Sequence, residues 1–479
     1  MAMVFDVVAV LLCAFITVAR GKYRVYALLV GILFFPKTIS LHLSGSPSIS
    51  IVCILLLIGL CFVRPMETLR ELIHLPFVEV SVFVYLLLLM VGICDARLSW
   101  VERVMRPTVY YLAFSAPLLL AGVFLRSKQE CLHVLRFYVI LMLVFCVYGI
   151  VCFVTRSNMY YSFISALYDV RDVGAEVLAK ERSRVSSFAT YPHLYGIWLV
   201  LSILAVCLLR AMYEIRTAWP LVIAFLLLVG NLLLTNCRVV ILVMAVGWSV
   251  WLLAGGGYSR NRLLAALLAL CVGIAAIFSG HLGVVTDTID TVRGKSEATG
   301  STLESRVAMF KWCYIEFLRS PWVGNGFGYK TEVLGYAAKK EERASEKEFA
   351  GFESLWATLL VEQGMCGIAA MLVLFGALAC YWIRWLRAAG RSQLRLVAVF
   401  AIAMLVAYFS FVTLNSALGS FTVFFTLMGV CVRYVSLEYP SGCIAGMTRQ
   451  SRCALSVCHP RGLHVSADHQ SRAVSSEPR

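Results

Sequence analysis

Three arginines and one glutamate stand where a chain this apolar has least use for charge. Arg184 precedes one apolar run, Arg238 closes the turn Asn236-Cys237-Arg238 between two others, and Arg306 lies in a long polar interruption. Glu353 immediately precedes a further apolar run, among Phe352, Leu355 and Trp356. Arginine stays charged and presents a planar fork of N–H donors suited to anionic oxygens. Placing it deep in a bilayer costs roughly 2.5–3.5 kcal/mol, so an arginine retained there tends to have a task. The plainer alternatives are a side chain that snorkels to headgroups and, for Arg306, a solvated helix charge. Glu353 at a membrane boundary is partly desolvated, which suits it to taking up a proton; the alternative is an acid favoured by a helix N-terminus. His193 and His281 are further candidate bases, each with a structural reading beside it.

The elements that must hold these residues are membrane spans. Of 479 residues, 61% are hydrophobic and 14% charged, against roughly half and a quarter in soluble domains. The expected fold is an all-α polytopic membrane protein. About 20 apolar residues cross a bilayer. Candidate spans are 3–19, 25–42, 48–64, 77–94, 107–125, 135–155, 191–210, 218–235, 238–254, 262–280, 355–383, 395–414 and 416–435, so 12 to 13 helices. The net charge of +15 comes from basic residues scattered at span ends, a topology pattern that excludes a nucleic-acid-tracking patch. With the N-terminus outside, basic loops fall inside, and segments 156–190 and 281–354 fall on the outer face. Arg97, Arg103, Arg106, Arg182, Arg184 and Arg238 then break the rule. Residues 1–436 read as one transmembrane domain, followed by a polar cytoplasmic tail, 437–479, that need not fold. Most of the 17 cysteines lie in apolar runs, where Cys is a small hydrophobe, and no CxxC occurs.

The segment from about Gly280 to Gly367 is the longest polar interruption before the tail. Ser301 and Glu304 form a capping-box pattern; Leu303, Val307, Phe310, Tyr314 and Phe317 recur at helical spacing. That stripe suggests a helix lying on the bundle and ending at Ser320-Pro321. Gly324, Gly326 and Gly328 make a tight turn; without a preceding strand or a Walker lysine they are no nucleotide loop. Lys339 to Glu348 mixes both charge signs as a solvated helix does.

Taken in order, these features resemble the O-antigen ligase and O-antigen polymerase superfamily of bacterial envelope glycosyltransferases, over roughly 180–375. The matching pieces are Arg184-Val-Ser-Ser-Phe188 with Tyr191-Pro192-His193, and Thr235-Asn-Cys-Arg238. They continue with Arg306 and Trp312, Pro321 to Gly328, Phe352-Glu353-Ser354-Leu355, and Leu360-Val-Glu362-Gln-Gly364-Met-Cys-Gly367. The ligases typically carry His-Asn where this chain has Glu353-Ser354, and Asn-Pro-Asn where it has Tyr191-Pro192-His193. Both departures lean towards a repeat-unit polymerase.

The resemblance implies a GT-C-like membrane fold in the bacterial inner membrane with its active face outward, and no cofactor. It implies a polyprenyl-diphosphate-linked glycan donor and a lipid-linked sugar acceptor, with a chain-length regulator or flippase as further partners. Arg184, Arg238 and Arg306 would clamp the diphosphate, His193 would contribute to substrate binding, and Glu353 would activate the acceptor hydroxyl. Without an Asp-x-Asp-like metal pair in the outer loops, a metal-independent reaction is expected. Two other classes stay open: a lipid-linked oligosaccharide flippase or transporter, and a non-catalytic scaffold of an envelope polysaccharide complex.

Overall fold

A computed structural model describes residues 2–35, 40–41, 49–50, 75–168, 184–213, 219–254, 303–333, 354–389, 393–415 and 418–438. The helices are α1 (Ala2–Val18), α2 (Lys22–Phe34), α3 (Val78–Cys94), α4 (Trp100–Phe124), α5 (Lys128–Thr155), α6 (Met159–Tyr168) and α7 (Pro192–Tyr213). They continue as α8 (Trp219–Leu234), α9 (Arg238–Ala254), α10 (Leu303–Arg319), α11 (Tyr329–Glu332), α12 (Leu355–Ala388), α13 (Gln393–Leu414) and α14 (Phe421–Ser436). The one departure from all-helical architecture among the described residues is a two-residue antiparallel ladder, Ser40–Leu41 on Ile49–Ser50. Five helices, α4, α5, α7, α12 and α13, are long and apolar enough to cross a membrane, and five shorter ones are as apolar. The chain is a multi-pass membrane protein.

Two expected spans differ. The run 25–42 is helical only to Phe34, because Phe35 precedes Pro36 and so leaves the helical region, at φ −98°, ψ 104°. In the run 48–64, Ile49 and Ser50 belong to the ladder, and 51–64 lie outside the described residues, as does the expected span 262–280.

Lipid is as apolar as leucine, so helices in a bilayer are held by close packing and internal hydrogen bonds. The glycines and prolines show where. Pro107 inside α4 frees the Arg103 carbonyl, and Gly92 of α3 packs onto it where a Cβ would lie 2.2 Å away. Gly429 of α14 meets the Leu118 carbonyl of α4 in the same way, at 2.3 Å. Around Tyr408 of α13 the rings of Phe421, Phe424 and Phe425 interlock, Tyr408 stacking on Phe424 at 4.0 Å.

Helices α7 and α9 run parallel and touch along their length. Gly196 lies against Val240 near their N-termini, and Gly247 packs near Leu204 further along. Their N-termini therefore share one end of the bundle.

Candidate functional site

That shared end collects three of the residues the sequence points to. Arg238 is the first residue of α9 and is exposed; His193 is the second of α7. Arg184 joins them through its neighbour, because the Val185 N–H donates to the Leu234 carbonyl at the end of α8, 3.1 Å away. Asn236 takes the left-handed conformation, φ 48°, that turns α8 into α9. Electrostatics agree with this placement: the Arg184 charge acts on both His193 and Cys237. Burial pushes the Cys237 thiol up to about 11, against the opposing pull of Arg184 and a hydrogen bond to Thr235.

Segment 185–190 is held from beneath by buried amides. Asn158 donates from Nδ2 to the Ser187 carbonyl, 2.8 Å, and accepts at Oδ1 from the Tyr161 N–H, 3.2 Å. Ser187, itself at φ 51°, donates its hydroxyl to the Phe145 carbonyl. Tyr195 of α7 donates to Asn231 Oδ1 of α8, 3.1 Å. Asn231, a lone amide in the apolar run before Arg238, is the sequence signal of this polar contact.

A second polar region forms where the glycine turn meets α12. At Gly364, φ 58° and ψ −151°, α12 leaves helical geometry. The turn fills the break with backbone hydrogen bonds. Asn325 N–H donates to Val361 O and Gly326 N–H to Glu362 O, while Met365 N–H donates to Pro321 O and Cys366 N–H to Trp322 O, all at 2.8–2.9 Å. The Glu362 carboxylate accepts from the Lys330 N–H at 3.1 Å. Gly324 and Gly326 take φ +70° and +97°, and a Cβ on either would meet the Glu362 backbone or the Asp95 carboxylate.

The loop between α3 and α4 closes over this junction. Asp95 accepts two hydrogen bonds from Arg97, 3.0 Å at Nε and 2.7 Å at Nη2. Arg97 lies over the Tyr329 ring, 5.1 Å from its centroid, and Arg106 donates to the Phe327 carbonyl, 2.8 Å. Beneath, buried Glu316 of α10 accepts from Tyr329 and from Arg319, both at 2.9 Å. Thus Arg97 and Arg106, which oppose the expected topology, fasten the glycine turn.

The apolar stripe on α10 is the main correction. Phe310 and Tyr314 face outward, and the side against α12 is the ridge Cys313–Glu316, with Asn325 Nδ2 donating to the Glu316 carbonyl. The polar tether of Glu316 decides which side is buried. Arg306 lies in α10 but nothing is described of its side chain; Glu353, His281 and 339–348 lie outside the described residues. Among the described residues, no three His, Cys, Asp or Glu side chains gather as a metal ion would require.

Residues 223–372, about a third of the chain, match the family model described as O-antigen ligase. Over that stretch the chain is similar to the O-antigen ligase family. The matched stretch holds Arg238, Arg306, the glycine turn, Glu353 and the break at Gly364, whereas Arg184, His193 and the Asp95–Arg106 fastening come from outside it. No curated protein matches the chain.

Proposed function

We propose that the protein transfers a glycan from a polyprenyl diphosphate to the hydroxyl of a lipid-linked acceptor sugar on the outer face of a bacterial inner membrane, as a repeat-unit polymerase rather than a ligase. The observation that carries the reading is the gathering of Arg184 and Arg238 at the N-termini of the parallel helices α7 and α9. A helix N-terminus bears partial positive charge, so a cation there is placed against the dipole. Two such ends and two guanidiniums make a field that a diphosphate would relieve.

In the reaction, the acceptor oxygen forms a bond to the anomeric carbon while the bond from that carbon to the diphosphate breaks. Glu353 receives the hydroxyl proton, and Arg184, Arg238 and Arg306 take the negative charge that grows on the leaving diphosphate. Charge-assisted hydrogen bonds are worth roughly 1.5–3 kcal/mol each, so two or three supply a useful part of the barrier lowering without a metal. His193 binds substrate beside them. The lean towards polymerase rests on Glu353-Ser354 and Tyr191-Pro192-His193 standing in place of the ligase residues.

The deciding experiment incubates the purified full-length protein in lipid with a polyprenyl-diphosphate-linked repeat unit, in excess chelator. Ladders of longer lipid-linked glycan support the reading. Transfer only to a lipid A-type acceptor means ligase. Loss of activity restored by Mg²⁺ removes the metal-free mechanism, and movement of the unit across vesicles without bond formation means flippase.

A further inference from the structure

Helix α10 is inverted for a helix that meets water on its outer side. Glu316 and Cys313 are buried, each 2% exposed, while Phe310, Tyr314, Ile315 and Leu318 are turned away from the protein, at 50–62%, and Trp322 follows at 73%. At 100° per residue the four outward helical positions fall within an arc of about 140°, a single continuous side. Lys311 lies within that arc; its long stem allows the ammonium to reach headgroups while the methylenes stay apolar.

The height of this side relative to a bilayer follows from α12. Between Glu362 and Arg384, α12 carries no charged residue for about 20 residues, about 30 Å of helix, which is one hydrocarbon thickness. One hydrocarbon boundary therefore falls at the break at Gly364. The end of α10 is fixed to that level by the bonds from Met365 and Cys366 to Pro321 and Trp322. The outward residues of α10 thus stand at the level of the exposed flank of α12, where Met365 and Leu372 are turned away from the protein.

We propose that α10 lies on the membrane surface, with Phe310, Tyr314, Ile315, Leu318 and Trp322 bedded in phospholipid at the hydrocarbon boundary. Tyrosine and tryptophan suit that depth, and buried apolar area holds a helix there. The helix then anchors the glycine turn and holds it level with the lipid headgroups. This placement does not depend on which glycan is transferred.

The test is photo-crosslinking in the full-length chain, reconstituted in phosphatidylethanolamine and phosphatidylglycerol vesicles. p-Benzoylphenylalanine replaces Phe310, Tyr314 or Leu318 one at a time, with Cys313 replaced as the inward control. Phospholipid adducts at the three outward positions and protein adducts at the control are expected. Folded variants without lipid adducts overturn the proposal, as do adducts that form only with added glycan, which would make this side a sugar-stacking platform. A second measurement covers variants that fold poorly. The pair Ile315→Asp and Leu318→Asp should lower the melting temperature in vesicles, because each charge enters hydrocarbon. A water-facing helix would keep or raise it, and that result overturns the placement.

Discussion

The arginine-bearing end of α7 and α9 and the junction at Gly364 both put cations where membrane topology disfavours them, yet they use charge differently. At the junction three arginines are engaged by the protein's own oxygens: Arg97 by Asp95, Arg106 by Phe327 O and Glu102, Arg319 by Glu316. These charges are spent on fixing a turn. At the other end, Arg238 opens α9, where the backbone adds positive field rather than cancelling it, and Arg184 lies beside the end of α8. Arginines that break one rule in sequence thus stand in two different backbone settings.

Substitutions should separate the two regions. The largest effect on assembly is expected from Gly326→Ala. Its Cβ would sit 1.8 Å from Asp95 Oδ2 at φ +97°, and backbone strain with overpacking costs about 2–6 kcal/mol. The melting temperature in lipid should fall sharply and transfer should disappear with it, whereas Gly230→Ala, with nothing within 4 Å, should leave both alone. Unchanged melting of Gly326→Ala would mean that the turn is not fixed as described.

Arg238 should behave in the opposite way. Arg238→Ala should leave melting intact and slow transfer by about 10²–10³, the usual loss for one transition-state donor. Arg238→Lys keeps the charge without the fork and should recover little of it. A wild-type rate in both variants would return Arg238 to the snorkelling class.

Arg97→Ala comes next. Its loss leaves the buried Asp95 carboxylate without its two charged hydrogen bonds, at about 1–3 kcal/mol in stability. Adding Asp95→Asn should restore part of this, and a double-mutant cycle reads the coupling. Strict additivity would show that the ion pair is ornamental.

The smallest effect reports distance. Arg184 favours the Cys237 thiolate, so Arg184→Ala should raise that thiol further and slow its alkylation above pH 8, followed by peptide mass spectrometry. An unchanged rate would separate Arg184 from the turn at Arg238.

Much of the span architecture was legible because apolar length is a direct physical requirement. The glycine turn was legible too, since alternate glycines announce left-handed backbone. Its partner was not. Hydrogen bonds from Asn325 and Gly326 to Val361 and Glu362 join main-chain atoms, which carry no residue-type signature. The spacing of Phe310 and Tyr314 revealed that α10 has a side, but an apolar side can equally meet protein or lipid. Asp95 was missed because one acid in a short loop looks ordinary until the glycine that needs its space is known. Arg184, His193 and Arg238 were found by chemistry, while the contact that unites them runs through Val185, a residue with no chemistry of its own.

The bonds that seat residues 321–326 against 361–366 also settle what the intervening chain is free to become. Its two ends are pinned to one rigid junction, so a change in its length enters the free energy only as a logarithm. Doubling such a loop costs about 0.6 kcal/mol. Insertions within 334–352 therefore leave the turn, the break and the arginines in their places, while Phe327, Tyr329 and Lys330, which bond to the junction, and Glu353, the proposed base, must be kept. The protein has in this way a part whose length can change mounted on one whose geometry cannot.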